Sequence, residues 1–242
     1  SKPSSTSKSK LKESQKEYLR NLARKTWSFF EDLVSAEDNW LPPDNLQEYP
    51  VPVIAHRTSP TNIGLSLLAN LSAYDFGYVT TTQLIKRTEN TFSTLKKLDR
   101  FEGHFYNWYD TQNLRVLSPR YISTVDSGNL AGHLLTLRQG FLAIPGQRIV
   151  DPKTFRGLED TLRVTIDAIP VSETELRESL RTLYKAINTN DFQLTGLKDH
   201  ITTLLTQYRK IIFSTVNKST HHDIEWIQTF EKQLEFIFQE IV

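Results

Sequence analysis

The stretch "HRTSPTNIGLSLLANLSAYDFG", His56 to Gly77, decides the fold class. The Ser59 hydroxyl can accept from an N–H of a first helical turn, and Pro60 suits the first helical position because the N–H it lacks would be unpaired there. Gly77 suits a left-handed stop. Between Thr61 and Tyr74 no residue is charged. Ile63, Leu67, Leu71 and Tyr74 make one stripe, while Leu65, Leu68, Ala69 and Ala73 cover much of the remaining surface, so the spacing predicts a helix with neighbours nearly all round.

On either side the pattern changes. From Leu11 a helix places Tyr18, Leu22, Phe29, Phe30 and Leu33 on one stripe and Lys16, Arg20, Arg24 and Lys25 on the other, as an amphipathic, half-exposed helix would. It ends at "EDNWLPPDNLQEYPVP", where four prolines favour an extended path. A third helix, about Thr81 to Leu98, turns Leu84, Thr88, Phe92 and Leu95 inward and carries Lys86, Arg87, Glu89, Lys96 and Lys97 on its rim. A fourth starts near Thr124 and runs through "VDSGNLAGHLLTLRQGFLAI", with Arg138 its only charge after Asp126, and is expected to be buried again. Outer, inner, outer, inner is the order in which helical hairpins build two concentric layers, part of an α/α toroid; a plain globular bundle fits the same pattern.

The remainder is helical with a different period. Leu158, Leu162, Ile166 and Ile169 mark a short helix, and Ser172 with Glu175 reads as a capping box before Leu176, Leu180, Leu183 and Ile187. Leu197, Ile201, Leu204, Tyr208 and Ile211, then Ile227, Phe230, Leu234, Ile237 and Ile241, repeat at spacings of three and four, which is coiled-coil spacing over too few heptads for a long coil. An antiparallel C-terminal hairpin is expected. The chain therefore divides into a polar linker (1–10), a toroid-like segment (11–145) and a helical extension (146–242), all-α throughout.

Composition narrows the chemistry. Of 242 residues, 38% are hydrophobic and 24% charged, enough for a packed core. A net charge of +1 gives no electrostatic reason to expect nucleic acid or an anionic membrane as partner. The absence of cysteine removes disulfides, thiolate metal sites and a Cys nucleophile. There is no methionine either, so a chain opening at Ser1 reads as a piece or processed product of something longer. No apolar run is long enough to span a membrane. His56, His104, His133 and His200 are scattered and the pair His221–His222 has no helical partner four residues on, so neither metal nor cofactor is expected.

"RFEGHFYNWYDTQNLRVLSPRYISTVDSGNLAG", Arg100 to Gly132, carries the functional reading. Phe105, Tyr106, Trp108 and Tyr109 cannot all point one way, so some enter the core and others line a surface. Rings with polar tips beside Asn107 and Asp110 suit carbohydrate, the ring covering the apolar face of a pyranose while amide and carboxylate pair its hydroxyls. Asp126 and Asn129 fall in the first turn of the fourth helix, where a carboxylate is favoured by the macrodipole. The same residues also fit plain packing and a helix-terminal charge. Asp110 and Asp126 as acid and base of a glycosidase is a third possibility.

"DNWLPPDNLQE", "HRTSPTNIGLSLLA", "AYDFGYV" and "GHFYNWYDTQNLRVLSPRYISTVDSGNLAGHL" together resemble the cyclic β-1,2-glucan synthases, over about Glu17 to His133 and more loosely into "GLEDTLRV". The resemblance is to the segment that opens the glucoamylase-like, cyclising domain, after the membrane-bound glycosyltransferase portion. It implies a place on the cytoplasmic face of a bacterial inner membrane within a larger membrane protein, the segment itself being soluble and not inserted. It also implies β-1,2-glucan as ligand, with Arg57, Asn62, Tyr106, Trp108, Tyr109, Asp110, Asp126 and Asn129 as the glucan-facing candidates. The family's catalytic glutamates have no counterpart here, so scaffold and sugar contacts rather than complete transglycosylation are expected, with the rest of a synthase or another helical chain as possible partner. The rival reading is a non-catalytic interaction module docking through its C-terminal hairpin.

Overall fold

The computed structural model describes residues 11–147, 150–187, 194–215 and 222–242, so the linker 1–10 and His221 lie outside the described residues. Eight helices form among these: α1 (Glu13–Leu33), α2 (Pro60–Phe76), α3 (Thr81–Leu95), α4 (Thr124–Ala143), α5 (Pro152–Ala168), α6 (Thr174–Ile187), α7 (Leu194–Thr215) and α8 (His222–Ile241). Three two-residue antiparallel ladders pin the loops: β1 (Leu46–Gln47) with β2 (Val53–Ile54), β3 (Arg57–Thr58) with β6 (Tyr109–Asp110), and β4 (Arg100–Phe101) with β5 (His104–Phe105). The all-α class holds.

Helix α2 is built as its sequence requires. The Asn62 N–H donates to Ser59 Oγ at 3.2 Å, and Gly77 at φ 81° closes the last turn by donating its N–H to the Tyr74 carbonyl at 3.0 Å. A Cβ at Gly77 would lie 2.1 Å from the Lys153 carbonyl oxygen, so this end of α2 is pressed onto the start of α5. Along its length α2 packs on α4. At Gly64 and Gly140 a side chain of the facing helix lies directly on the glycine backbone, where a Cβ would lie 2.3 Å from His133 Nδ1 and 2.4 Å from Leu71 Cδ2 respectively.

The other helices of this half depart from expectation. Only Leu130 and Leu137 of α4 are buried, while Val125, Leu135 and Leu142 are 70%, 66% and 60% exposed, because among the described residues α2 is the main helix packed against α4. Helix α3 buries Leu84, Thr88 and Leu95 but leaves Phe92 exposed. Thr91 and Thr94 turn inward instead, donating to the Trp40 and Asn39 carbonyls at 3.1 and 2.7 Å. Those two residues hold left-handed φ angles of 60° and 52°, and the threonines satisfy their carbonyls.

Helix α1 is rotated against the simplest reading of its stripes. Arg24 is fully buried, donating from Nε to Thr161 Oγ1 at 2.8 Å and from Nη2 to Glu31 at 2.7 Å, with its guanidinium over the rings of Tyr78 (5.3 Å) and Trp226 (5.0 Å). Arg20 reaches the buried Asp160 at 2.7 Å. Tyr18 and Leu22, on the apolar stripe, are 68% and 50% exposed. A charged network with cation–π contacts from one guanidinium to two rings has captured the side of α1 that a hydrophobic count assigns to water.

Helices α5 to α8 close a bundle of their own. Leu158, Leu162, Leu176, Leu180, Ile201, Leu204, Phe230 and Leu234 form its core, α5 packing on α6 and α8 and α7 on α6 and α8. The Tyr208 hydroxyl donates to the Ile227 carbonyl at 2.9 Å. Among the described residues, the seam positions Leu197, Ile201, Leu204 and Tyr208 of α7 and Ile227, Phe230, Leu234 and Ile237 of α8 are buried within the chain. Helix α6 starts at Thr174, whose N–H donates to the Ser172 carbonyl at 3.0 Å, so the expected Ser172 capping box is not the start used.

Candidate functional site

The β3–β6 ladder decides which aromatic residues can meet a ligand. Thr58 is opposite Tyr109 and Arg57 opposite Asp110, and adjacent residues of an extended segment face opposite ways. Tyr109 goes inward: it is fully buried, its hydroxyl donates to the Asp99 carbonyl at 2.7 Å, and burial pushes that hydroxyl up to about 12. Tyr109 is therefore a core residue and not glucan-facing. Tyr106 packs half-buried against the same core, its N–H donating to the Tyr109 hydroxyl at 2.8 Å. Trp108 stays half-buried, with the Arg57 guanidinium over its ring at 5.0 Å.

Arg57 is held in that position by Asp44, which takes Nε and Nη2 at 3.1 and 2.9 Å and also accepts from Asn62 Nδ2 at 3.2 Å. Asp110 is spent on its own turn, its Oδ1 accepting the N–H groups of Gln112 and Asn113 at 2.9 and 3.0 Å. Four of the eight candidates, Arg57, Asn62, Trp108 and Asp126, are joined in one polar cluster, and Asn129 borders it.

The centre of that cluster is Asp126, between the N-termini of α2 and α4. Burial works to raise its pKa, but hydrogen bonds from Ser123, Thr61, Ser59 and the Thr61 backbone outweigh burial and hold the carboxyl below its ordinary value. Asn129 Nδ2 donates to Thr61 Oγ1 at 3.1 Å. With the Asn107 amide in the orientation that satisfies both its ends, Nδ2 donates to Asp126 Oδ2 at 2.9 Å. Its Oδ1 then accepts from Trp108 Nε1 at 2.9 Å and from the Tyr121 hydroxyl at 2.6 Å. A carboxylate held below its ordinary value by hydrogen bonds can accept from hydroxyls, and the direction of that shift works against a general-acid role.

Sequence reasoning passed over Asp44 and Tyr121 as site residues, and it took the Asn107 amide as a direct partner of sugar hydroxyls, not as the centre of a network. Asn107 is buried in the middle of the network, where an amide serves donor and acceptor at once. A second polar pair lies nearby in the chain: His56 Nδ1 lies 2.8 Å from Asp38 Oδ1, which also accepts from Thr111. Among the described residues no group of three or more acidic or histidine side chains is placed to hold a metal ion, and no helix is long and apolar enough to cross a membrane.

No protein-family model matches the chain. Over 121 residues, half of its length, it is 52% identical to the cyclic beta-(1,2)-glucan synthase NdvB of Rhizobium meliloti (strain 1021). It spans 4% of that much longer protein. A crystal structure from Bacteroides fragilis NCTC 9343 that carries the name glucoamylase aligns over 80% of this chain and 40% of its own, at 19% identity and a TM-score of 0.37.

Proposed function

We propose that this chain is a carbohydrate-binding segment of a cyclic-glucan-synthase-like protein, contributing scaffold and a glucan-facing loop to a cyclising, transglycosylating domain. The observation that carries the reading is the coupling of Trp108 to Asp126 through Asn107, because it puts a ring edge, an amide and an ionised carboxylate on one rigid frame at two helix N-termini. A pyranose needs that combination: an apolar face to cover and hydroxyls to pair. The 52% identity over 121 residues supports β-1,2-linked glucan as the ligand class. Arg57 backs the ring, Asp126 and Asn129 accept and donate to hydroxyls, and Asp44 and Tyr121 hold these side chains in place. The arrangement favours binding over bond cleavage, since Asp126 is held ionised and Asp110 is tied into a turn.

Isothermal titration with linear β-1,2-glucan tests this. Saturable binding is expected, and Trp108→Ala should remove roughly 1–2 kcal/mol of it with little change in thermal midpoint. A variant that binds as well as the native chain would reject the ring as a sugar platform.

A further inference from the structure

Tyr121, in the loop between β6 and α4, keeps 44% of its surface in solvent and yet is fastened at both ends to one residue. Its carbonyl accepts the Asn107 N–H at 2.9 Å. Its hydroxyl lies 2.6 Å from the Asn107 side-chain amide, donating to Oδ1 in the orientation that satisfies both amide ends. A tyrosine on an exposed loop ordinarily turns about its side-chain bonds, whereas one tied by backbone and tip to a buried partner has given up that freedom before any ligand arrives. Asn107 is such a buried partner. The result is a phenol ring held still with part of its surface bare, which loop packing alone does not require.

The same amide oxygen accepts the Trp108 indole N–H at 2.9 Å. Two donors on one acceptor put the nitrogen edge of the indole and the hydroxyl end of the phenol side by side, so the two rings border each other around Asn107. That neighbourhood suits a chain ligand: consecutive sugar units are joined through a single oxygen, and two adjoining rings can each cover the apolar face of one unit. Asp126 lies at the other end of the amide, accepting from Asn107 Nδ2 at 2.9 Å, so the acceptor for sugar hydroxyls is fixed relative to both rings.

We propose that Tyr121 is a second sugar platform beside Trp108, and that the site selects two consecutive glucose units of a linear β-1,2-glucan over a single glucose. The inference rests on the glucan reading of Trp108 and adds to it the number of units bound and the residue that sets it. Tyr121 then has two tasks, its hydroxyl holding Asn107 and its ring meeting the second unit. Substitution separates them: Tyr121→Phe removes the hydroxyl and keeps the ring, and Tyr121→Ala removes both.

Ligand-observed NMR titration with methyl β-glucoside and with the β-1,2-linked glucose disaccharide is the test, thermal midpoints showing that each variant is folded. The native chain should bind the disaccharide about tenfold more tightly than methyl β-glucoside. Tyr121→Ala should weaken the disaccharide about tenfold and leave methyl β-glucoside within about threefold of native, while Tyr121→Phe should stay within about threefold for both. A Tyr121→Ala chain that binds the disaccharide as the native chain does overturns the proposal. Equal losses in Tyr121→Phe and Tyr121→Ala overturn it too, and leave Tyr121 as a support for Asn107. A native chain with no preference for the disaccharide overturns the second unit while the reading of Trp108 stands, and one that binds neither these sugars nor linear β-1,2-glucan overturns both. Hydroxyl-radical footprinting of the native chain needs no variant: linear β-1,2-glucan should shield Tyr121 from oxidation and leave Tyr18, on α1, unchanged. Equal oxidation of Tyr121 with and without saturating glucan overturns the platform.

Discussion

Two halves of this molecule handle apolar helices in opposite ways. In the C-terminal bundle the seams of α5 to α8 close on one another, and Leu162, Leu204, Phe230 and Leu234 have essentially no solvent contact. In the N-terminal half α1 and α4 each bury one side and leave another bare, with Leu22 and Leu135 50% and 66% exposed, while α2 is buried or half-buried over most of its surface. The same heptad-like or all-round apolar pattern thus records a closed core in one region and an open surface in the other. Hydrophobic periodicity reports how many sides of a helix want a neighbour, and only packing says which sides have one.

The two behaviours should separate most widely under truncation. Phe230→Ala deletes a fully buried ring from the bundle and is expected to cost about 3–5 kcal/mol in urea unfolding, whereas Leu135→Ala on the bare side of α4 should stay within about 0.5 kcal/mol. Comparable losses at both positions would mean that α4 is covered in solution.

A smaller effect is expected where the halves are joined. Gly77→Ala forces a side chain into a left-handed position and toward the Lys153 carbonyl, and Gln233 Nε2 donates to the Gly77 carbonyl at 3.0 Å from the bundle side. The loss should exceed the roughly 1–2 kcal/mol of the left-handed penalty alone. A thermal midpoint unchanged by Gly77→Ala would show that the junction is not tightly held.

The smallest expected effect lies in acid. Asp126 titrates below its unfolded value, so its contribution to stability is present above the ordinary aspartate range and is lost as pH falls through the lowered folded value. Asp126→Asn should therefore narrow the stability difference between pH 7 and the acid limb while keeping the fold. An acid limb as steep in the variant as in the native chain would assign that titration to other carboxylates.

Much of this was legible beforehand. Ser59, Pro60 and Gly77 act at the ends of α2 in the roles their chemistry assigns, and Asp126 does fall in the first turn of α4. Tyr109 was read as facing a ligand because a two-residue strand is too short to reveal its period, yet that ladder alone separates Tyr109 from Trp108. The rotation of α1 was hidden for another reason: an arginine counts as polar in any stripe, although Arg24 finds two aromatic rings, Thr161 and Glu31 as partners inside the fold. Asn107 was legible as an amide beside the rings, but its linking role was not, since that depends on Trp108, Tyr121 and Asp126 converging from different parts of the chain.

The central claim is that Trp108 touches sugar, and the chain's tryptophan emission reads it directly. Of its four tryptophans, Trp27, Trp40, Trp108 and Trp226, only Trp108 belongs to the proposed site. Titration with linear β-1,2-glucan should give a saturating change in emission that disappears in Trp108→Phe while calorimetric binding largely persists through the smaller ring. A flat response from folded native protein, or a response that survives in Trp108→Phe, would contradict the account.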